Sequence, residues 1–228
     1  MKTLIIVSHP DIEDSNSQQF LKEAIPRSDH IKYHHLESIY PTGNIDIRYE
    51  QDLLKQYDRI IFQFPFYWYA APPMLKKWQD EVLEEHIAFG TGGTLLQGKE
   101  LGLVMTIGIA EKEYQVGGAE QFTISQLTIP FQALANKTGM HFLKPFTIFQ
   151  FYYLSEKEQQ DLLIKYQQYL MLDNTDSLSS RVEWLVEQLE SLKDDSTLIE
   201  DMFTIDHIIG VLEDNQLELD EMKLYLAK

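Results

Sequence analysis

The chain has 228 residues, 44% of them hydrophobic, enough to bury the core of one large domain or of one domain with an appendage. Its formal net charge of −17 argues against a nucleic-acid partner, because phosphate contacts need a basic stripe and lysines cluster only at Lys76 and Lys77. There is no cysteine, which excludes a disulfide scaffold, a thiolate nucleophile and a cysteine-ligated metal site.

The opening MKTLIIVSHP carries an apolar segment too short for a signal-peptide core, and no later run approaches the roughly 18 apolar residues of a membrane span. The sequence therefore reads as a soluble, cytoplasmic protein. Thr3 to Ser8 is a continuous apolar run, as in a strand buried on both faces, and the segment after it changes to helical spacing at Phe20, Leu21, Ala24 and Ile25. Ile31 to Leu36 reads as a second strand, Asp46 to Tyr57 as a helix and Asp58 to Phe64 as a third strand. Pro72 to Glu85 reads as a helix with proline in its first turn. Leu101 to Ile107 is a fourth strand, a helix falls between Gly118 and Asn136, Met140 to Phe151 holds a fifth strand, and Glu156 to Leu172 is a helix. Five strands alternating with helices predict a doubly wound α/β fold on a five-stranded parallel sheet.

Residues 1–172 form this predicted domain, and residues 173–228 a C-terminal helical extension. DNTDSLSS reads as a linker, Val182 to Leu192 as an amphipathic helix, and Ser196 to Lys228 as a mostly helical tail interrupted at Gly210. Residues 155–228 carry 18 acidic and 6 basic side chains, against 18 and 13 in residues 1–154. The last third of the chain thus holds most of the excess charge, and the first two thirds are free to accept an anionic ligand.

In doubly wound sheets ligands sit beyond the carboxyl ends of the strands, and three loops there carry chemistry. SHPDIEDSNSQQF brings His9, Ser15, Asn16, Ser17 and Gln18 to a helix N-terminus, where a phosphate gains N–H and hydroxyl donors; a simple serine cap fits the same residues. FPFYWYAAPPMLKKW presents Phe66, Tyr67, Trp68 and Tyr69 among prolines that forbid a continuing strand, so the rings lie on a loop suited to a flat ligand. Thr106, Ile107, Gly108 and Ile109 end the fourth strand, with Gly108 allowing close backbone approach and Tyr114 and Glu120 following. Gly93 to Lys99 imitates a phosphate-binding P-loop, but Glu100 replaces the magnesium-binding hydroxyl and the loop leads into a strand rather than a helix. The histidines show no ligand pairing with carboxylates, so no metal site is expected, and no G-x-S-x-G nucleophile elbow exists.

Together these loops resemble the flavodoxin-like NAD(P)H:quinone oxidoreductases, the family of DT-diaphorase and of the ancillary reductases of potassium-efflux systems. FPFYWYAAPPMLKKWQDEVL is similar to that family's P-x-x-W-[FY]-x-x-P-x-x-L-K-x-W-x-D, and FGTGGTLLQGK and VSHP support it. The resemblance implies FMN as cofactor and NAD(P)H as cosubstrate, with His9 and Ser15 to Gln18 at the phosphate and ribityl chain. It implies Phe66 to Tyr69 and Thr106 to Ile109 around the ring, although Gln18 stands where the family has asparagine and Ile109 where it has glycine. Tyr114 falls at the family's active-site tyrosine, and Glu120 at its histidine partner. A homodimer reducing a quinone-like acceptor is implied. The alternative is a flavin-binding ancillary subunit that contacts a membrane transporter.

Overall fold

The structure, a computed structural model, describes residues 1–174, 177–193 and 202–226. Thr175 and Asp176 of the expected linker and Ser196 to Asp201 of the expected tail lie outside the described residues. The chain divides into two compact units, Met1–Leu170 and Met171–Lys228.

The first unit is a parallel sheet built from β1 (Thr3–Val7), β2 (Ile31–His35), β3 (Arg59–Pro65), β4 (Glu100–Ile107), β5 (His141–Phe142) and β6 (Phe146–Phe149). The order is β2-β1-β3-β4-β5, with β6 also on β4. Side chains alternate along each strand, so the sheet separates two apolar layers. Leu4, Ile6, Ile60, Phe62, Phe64, Leu101, Leu103 and Met105 join one core with Leu36, Leu53, Leu54, Leu75 and Trp78. These come from α2 (Leu36–Ile39), α3 (Ile47–Lys55) and α4 (Pro73–Val82), and α6 (Ile129–Thr138) adds Phe131 and Ala135. The opposite layer is covered by α1 (Asn16–Glu23) and α7 (Glu156–Met171), joined where Gln167 Nε2 donates to the Ala24 carbonyl at 2.9 Å.

Two local departures from the sequence reading have physical causes. The expected fifth strand, Met140 to Phe151, is two short strands: Leu101 aligns with Phe142 but Val104 with Phe146, so one extra residue intrudes at Leu143–Pro145, where Pro145 has no N–H for a ladder. The helix expected between Gly118 and Asn136 is α5 (Ile124–Leu127) followed by α6, with Thr123 and Gln126 forming a reciprocal cap at the start of α5.

Two buried polar clusters tie elements together. Glu50 on α3 is fully buried, and its carboxylate accepts from His34 Nε2 at 2.8 Å, Tyr40 Oη at 2.5 Å and Trp78 Nε1 at 2.9 Å. This links β2, the segment after α2, α3 and α4. At the amino ends of the strands Arg59 donates to Glu100 Oε2 at 2.6 Å and to the Tyr169 carbonyl at 2.5 Å, fixing the end of α7 to the sheet.

The second unit contains α8 (Leu178–Leu192) and α9 (Met202–Leu226). They run antiparallel: Lys193 pairs with Asp206 at one end, and Gln216 donates to Ser179 nearer the other. Gly210 does not interrupt α9, which is continuous over 25 residues. One glycine costs a helix about 1 kcal/mol, and the burial of Ile205 and Ile209 on either side of the same turn offsets it.

Candidate active site

Four loops meet at the carboxyl ends of β1, β3, β4 and β6 and enclose a cleft of about 200 Å³. It is lined by His9, Ser15 and Ser17 from the first loop, Pro65 and Tyr67 from the second, Thr106, Ile107 and Gly108 from the third, and residues 150–153 from the fourth. β1 is placed between β2 and β3, so successive crossovers leave in opposite directions there and the loops part to form a crevice.

The first loop is built to donate hydrogen bonds. Ser15 is the N-cap of α1, and the N–H groups of the first turn have no carbonyl one turn earlier to bond. The Gln18 N–H reaches the Ser15 hydroxyl at only 3.4 Å, a long contact that leaves the turn open to a stronger acceptor. The Asp11 N–H donates to His9 Nδ1 at 3.1 Å, which leaves the proton of the neutral ring on Nε2. Burial lowers the His9 pKa, against the raising effect of Glu37, so the ring is neutral at pH 7 and serves as a donor.

Beneath this loop a second layer holds its backbone. Ser8 donates to Glu37 Oε1 at 2.6 Å, and His35 Nε2 lies 3.2 Å from both Glu37 Oε2 and the His9 carbonyl. Desolvation pushes the Glu37 carboxyl up, but the bonds from His35 and Ser8 outweigh it and hold the group below its ordinary value.

The third loop supplies a flat floor. A Cβ built on Gly108 meets nothing within 4 Å, so the backbone there faces open space that a planar ligand could approach closely. Four non-glycine residues in the loops around the cleft take left-handed backbone angles: Trp68 at φ 47°, Tyr69 at 60°, Gln121 at 61° and Gln150 at 48°. Each costs on the order of 1–3 kcal/mol, and such strain gathers where the surrounding structure has a ligand to position.

The remaining expected residues lie outside the cleft wall. Asn16 opens α1, and Gln18 is fully buried, its Oε1 accepting from Gln63 Nε2 at 2.8 Å while its own Nε2 has no partner among the described residues. Phe66 is buried against the Tyr69 ring, Trp68 is 91% exposed, and Ile109 is exposed. Tyr114 is buried with its ring on Phe149, and desolvation followed by Glu120 and Tyr69 raises its hydroxyl pKa. Glu120 bonds to neither the cleft nor Tyr114; its Oε2 accepts from the Tyr69 hydroxyl at 2.7 Å and ties the second loop to the third.

Gln150, Phe151, Tyr152 and Tyr153 were not anticipated. The signal for them existed, because FQFYY follows a strand with the same aromatic density as FPFYWY. Phe151 is anchored on Phe20 of α1, with ring centroids 5.3 Å apart, while Tyr152 and Tyr153 remain exposed at the lip.

This architecture recurs in known proteins. A family model described as flavodoxin-like fold matches residues 1–170. An uncharacterized NAD(P)H oxidoreductase of Bacillus subtilis, YrkL, is 42% identical over 174 residues, covering 76% of this chain and all of the relative. Among solved structures, an NADPH-quinone reductase from P. pentosaceus is 45% identical with a TM-score of 0.72, over 76% of this chain and all of that one. General stress protein 14 of Treponema denticola, solved in complex with FMN, is 33% identical with a TM-score of 0.69, over 75% and 98% of the two chains. The family model spans residues 1–170 and these relatives cover about three quarters of the chain, so the chain belongs to the flavodoxin-like NAD(P)H:quinone oxidoreductase family.

Proposed function

We propose that the protein is an FMN-dependent NAD(P)H oxidoreductase that delivers reducing equivalents to a quinone-like acceptor in the cleft described above. The observation that carries this reading is the meeting, in one crevice, of a hydrogen-bond-donating helix start with a side-chain-free floor at Gly108. The first suits one phosphate and the second suits a planar ring. No G-x-G-x-x-G turn follows β1, which favours FMN over a dinucleotide such as FAD.

FMN, when bound, supplies hydride acceptance from NAD(P)H and hydride donation to the acceptor. This chain's residues do the binding and the proton work. His9 Nε2–H, the Ser15 and Ser17 hydroxyls and the first-turn N–H groups of α1 would hold the phosphate. The backbone of Thr106 to Gly108 and the ring of Tyr67 would border the planar group, and Tyr152 and Tyr153 would wall its outer edge. Tyr114, protonated at neutral pH and packed on Phe149 outside the cleft wall, would donate to the charge that builds on an acceptor reaching past that wall, with Glu120 close enough to influence it electrostatically.

A volume of about 200 Å³ is below the roughly 300–1,000 Å³ of a complete small-molecule pocket, so one chain encloses only part of such a ligand. A homodimer in which the second copy closes the cleft follows from this reading, and so does a cytoplasmic site of action, where reduced nicotinamide is available. The test is reconstitution. The protein should take up FMN, and FMN rather than FAD should be recovered on denaturation. His9→Ala should weaken FMN binding by about tenfold, the worth of one hydrogen bond to a charged group. Recovery of FAD, or no flavin uptake, would overturn the proposal.

A further inference from the structure

The α8–α9 unit lies beyond residues 1–170, the span of the family model. α9 presents two faces. Ile205 and Ile209 are buried, Leu212, Gln216 and Leu219 are half-buried, and they follow one another at helical spacing toward α8. Away from that row Phe203, Gly210, Leu217 and Leu224 recur at intervals of seven residues. Phe203 is 85%, Leu217 67% and Leu224 68% exposed. A Cβ on Gly210 would meet nothing within 4 Å, so the stripe has a notch between two large side chains.

The borders of this stripe are also periodic. Three residues after each of its first three members comes Asp206, Glu213 or Asp220, and four residues after comes His207, Asp214 or Glu221, all exposed. At those offsets the side chains flank an apolar seam on either side. Lys193 on Asp206 and Lys223 on Asp220 offset two of the charges, and the border as a whole stays acidic.

We infer that this face docks a cationic amphipathic helix of another protein, with an apolar residue of the partner seated over Gly210 between Phe203 and Leu217 and its lysines or arginines against the two acidic rows. Charge decides the occupant. A second copy of α9 would set acidic rows against acidic rows, which is destabilising, whereas basic rows on a partner satisfy them and leave the apolar seam to supply contact area.

The experiment uses the full-length protein and two labelled helical peptides that share one leucine seam, one with lysine and the other with glutamate at the flanking positions. Fluorescence anisotropy should show the lysine peptide binding at least about tenfold tighter than the glutamate peptide, with affinity falling as salt rises. Leu217→Asp should weaken binding by about tenfold or more, and so should Gly210→Leu, which fills the notch while raising helix propensity. Reductase turnover and helical circular dichroism should stay at parental values in both variants. Equal binding of the two peptides, binding unaffected by both substitutions, or a fall in oligomer mass caused by Leu217→Asp alone would overturn the inference, the last by showing that a second copy covers the stripe.

Discussion

Removing the Glu50 carboxylate probes how the core holds the site in place, since one side chain with no solvent exposure binds His34, Tyr40 and Trp78. In Glu50→Ala three donors lose their acceptor. His34 and Trp78 are themselves buried, while Tyr40 is 8% exposed and the most able to find water. Breaking such a buried charged network costs about 3–5 kcal/mol. For a chain of this size that is a fall in Tm on the order of 10 °C. Glu50→Gln is milder. Its oxygen can keep the bonds from His34 and Tyr40, both made to Oε1, while its amide N–H opposes the Trp78 N–H. The cost is that of two buried donors, the Trp78 N–H and the new amide, facing each other without an acceptor, about 1–3 kcal/mol for the pair. Trp78→Phe should therefore cost less in the Glu50→Gln background than in the parent, by about 1 kcal/mol. Urea and thermal unfolding of the four proteins measure both quantities. Glu50→Ala within 1 kcal/mol of the parent, or strictly additive single changes, would refute the reasoning.

Acid should act through the same group. Desolvation raises the Glu50 pKa, but the bonds from His34, Tyr40 and Trp78 outweigh it and hold the folded value below the ordinary one. Glu50 thus contributes stability above the unfolded carboxyl pKa, and the contribution is lost as pH falls through the folded value; a pH series should show Glu50→Gln losing less stability than the parent below about pH 4. Gly108→Val should fill the open floor and lower FMN occupancy by at least about tenfold with little change in Tm, read from flavin absorbance after dialysis. Tyr114→Phe should keep its flavin and slow turnover by about tenfold to a thousandfold, with the two half-reactions timed by stopped flow. Gly102→Ala places a Cβ 2.5 Å from Ile61 Cδ1 and 2.6 Å from the Tyr169 hydroxyl, so unfolding should show a loss of about 1–3 kcal/mol.

Much of this fold was legible because buried parallel strands announce themselves as apolar runs, and β1, β3 and β4 lie within a residue or two of where those runs sit. The split of the last strand was less visible. Pro145 stands in the sequence, but the one-residue offset depends on how β4 pairs with Phe142 and Phe146, and pairing is not local. Gly210 was read by propensity alone, which contacts along α9 override. Nothing local in the sequence marks Glu50 and His34 as a buried pair, because what surrounds them comes from four separate elements. The site divides in the same way. Loops at strand ends drew attention to His9, Ser15, Ser17, Tyr67 and Thr106 to Gly108, all of which line the cleft. Trp68, expected around the same ligand, stands on a left-handed backbone with its side chain exposed.

The central claim is that this cleft holds a flavin that accepts hydride from a nicotinamide. It is tested most directly by one anaerobic absorption experiment on the purified, FMN-reconstituted protein. The account predicts flavin bands near those of bound FMN that bleach when NADH or NADPH is added and return when a quinone follows. A protein that retains no flavin, or one whose flavin stays oxidised with both nucleotides, would contradict it.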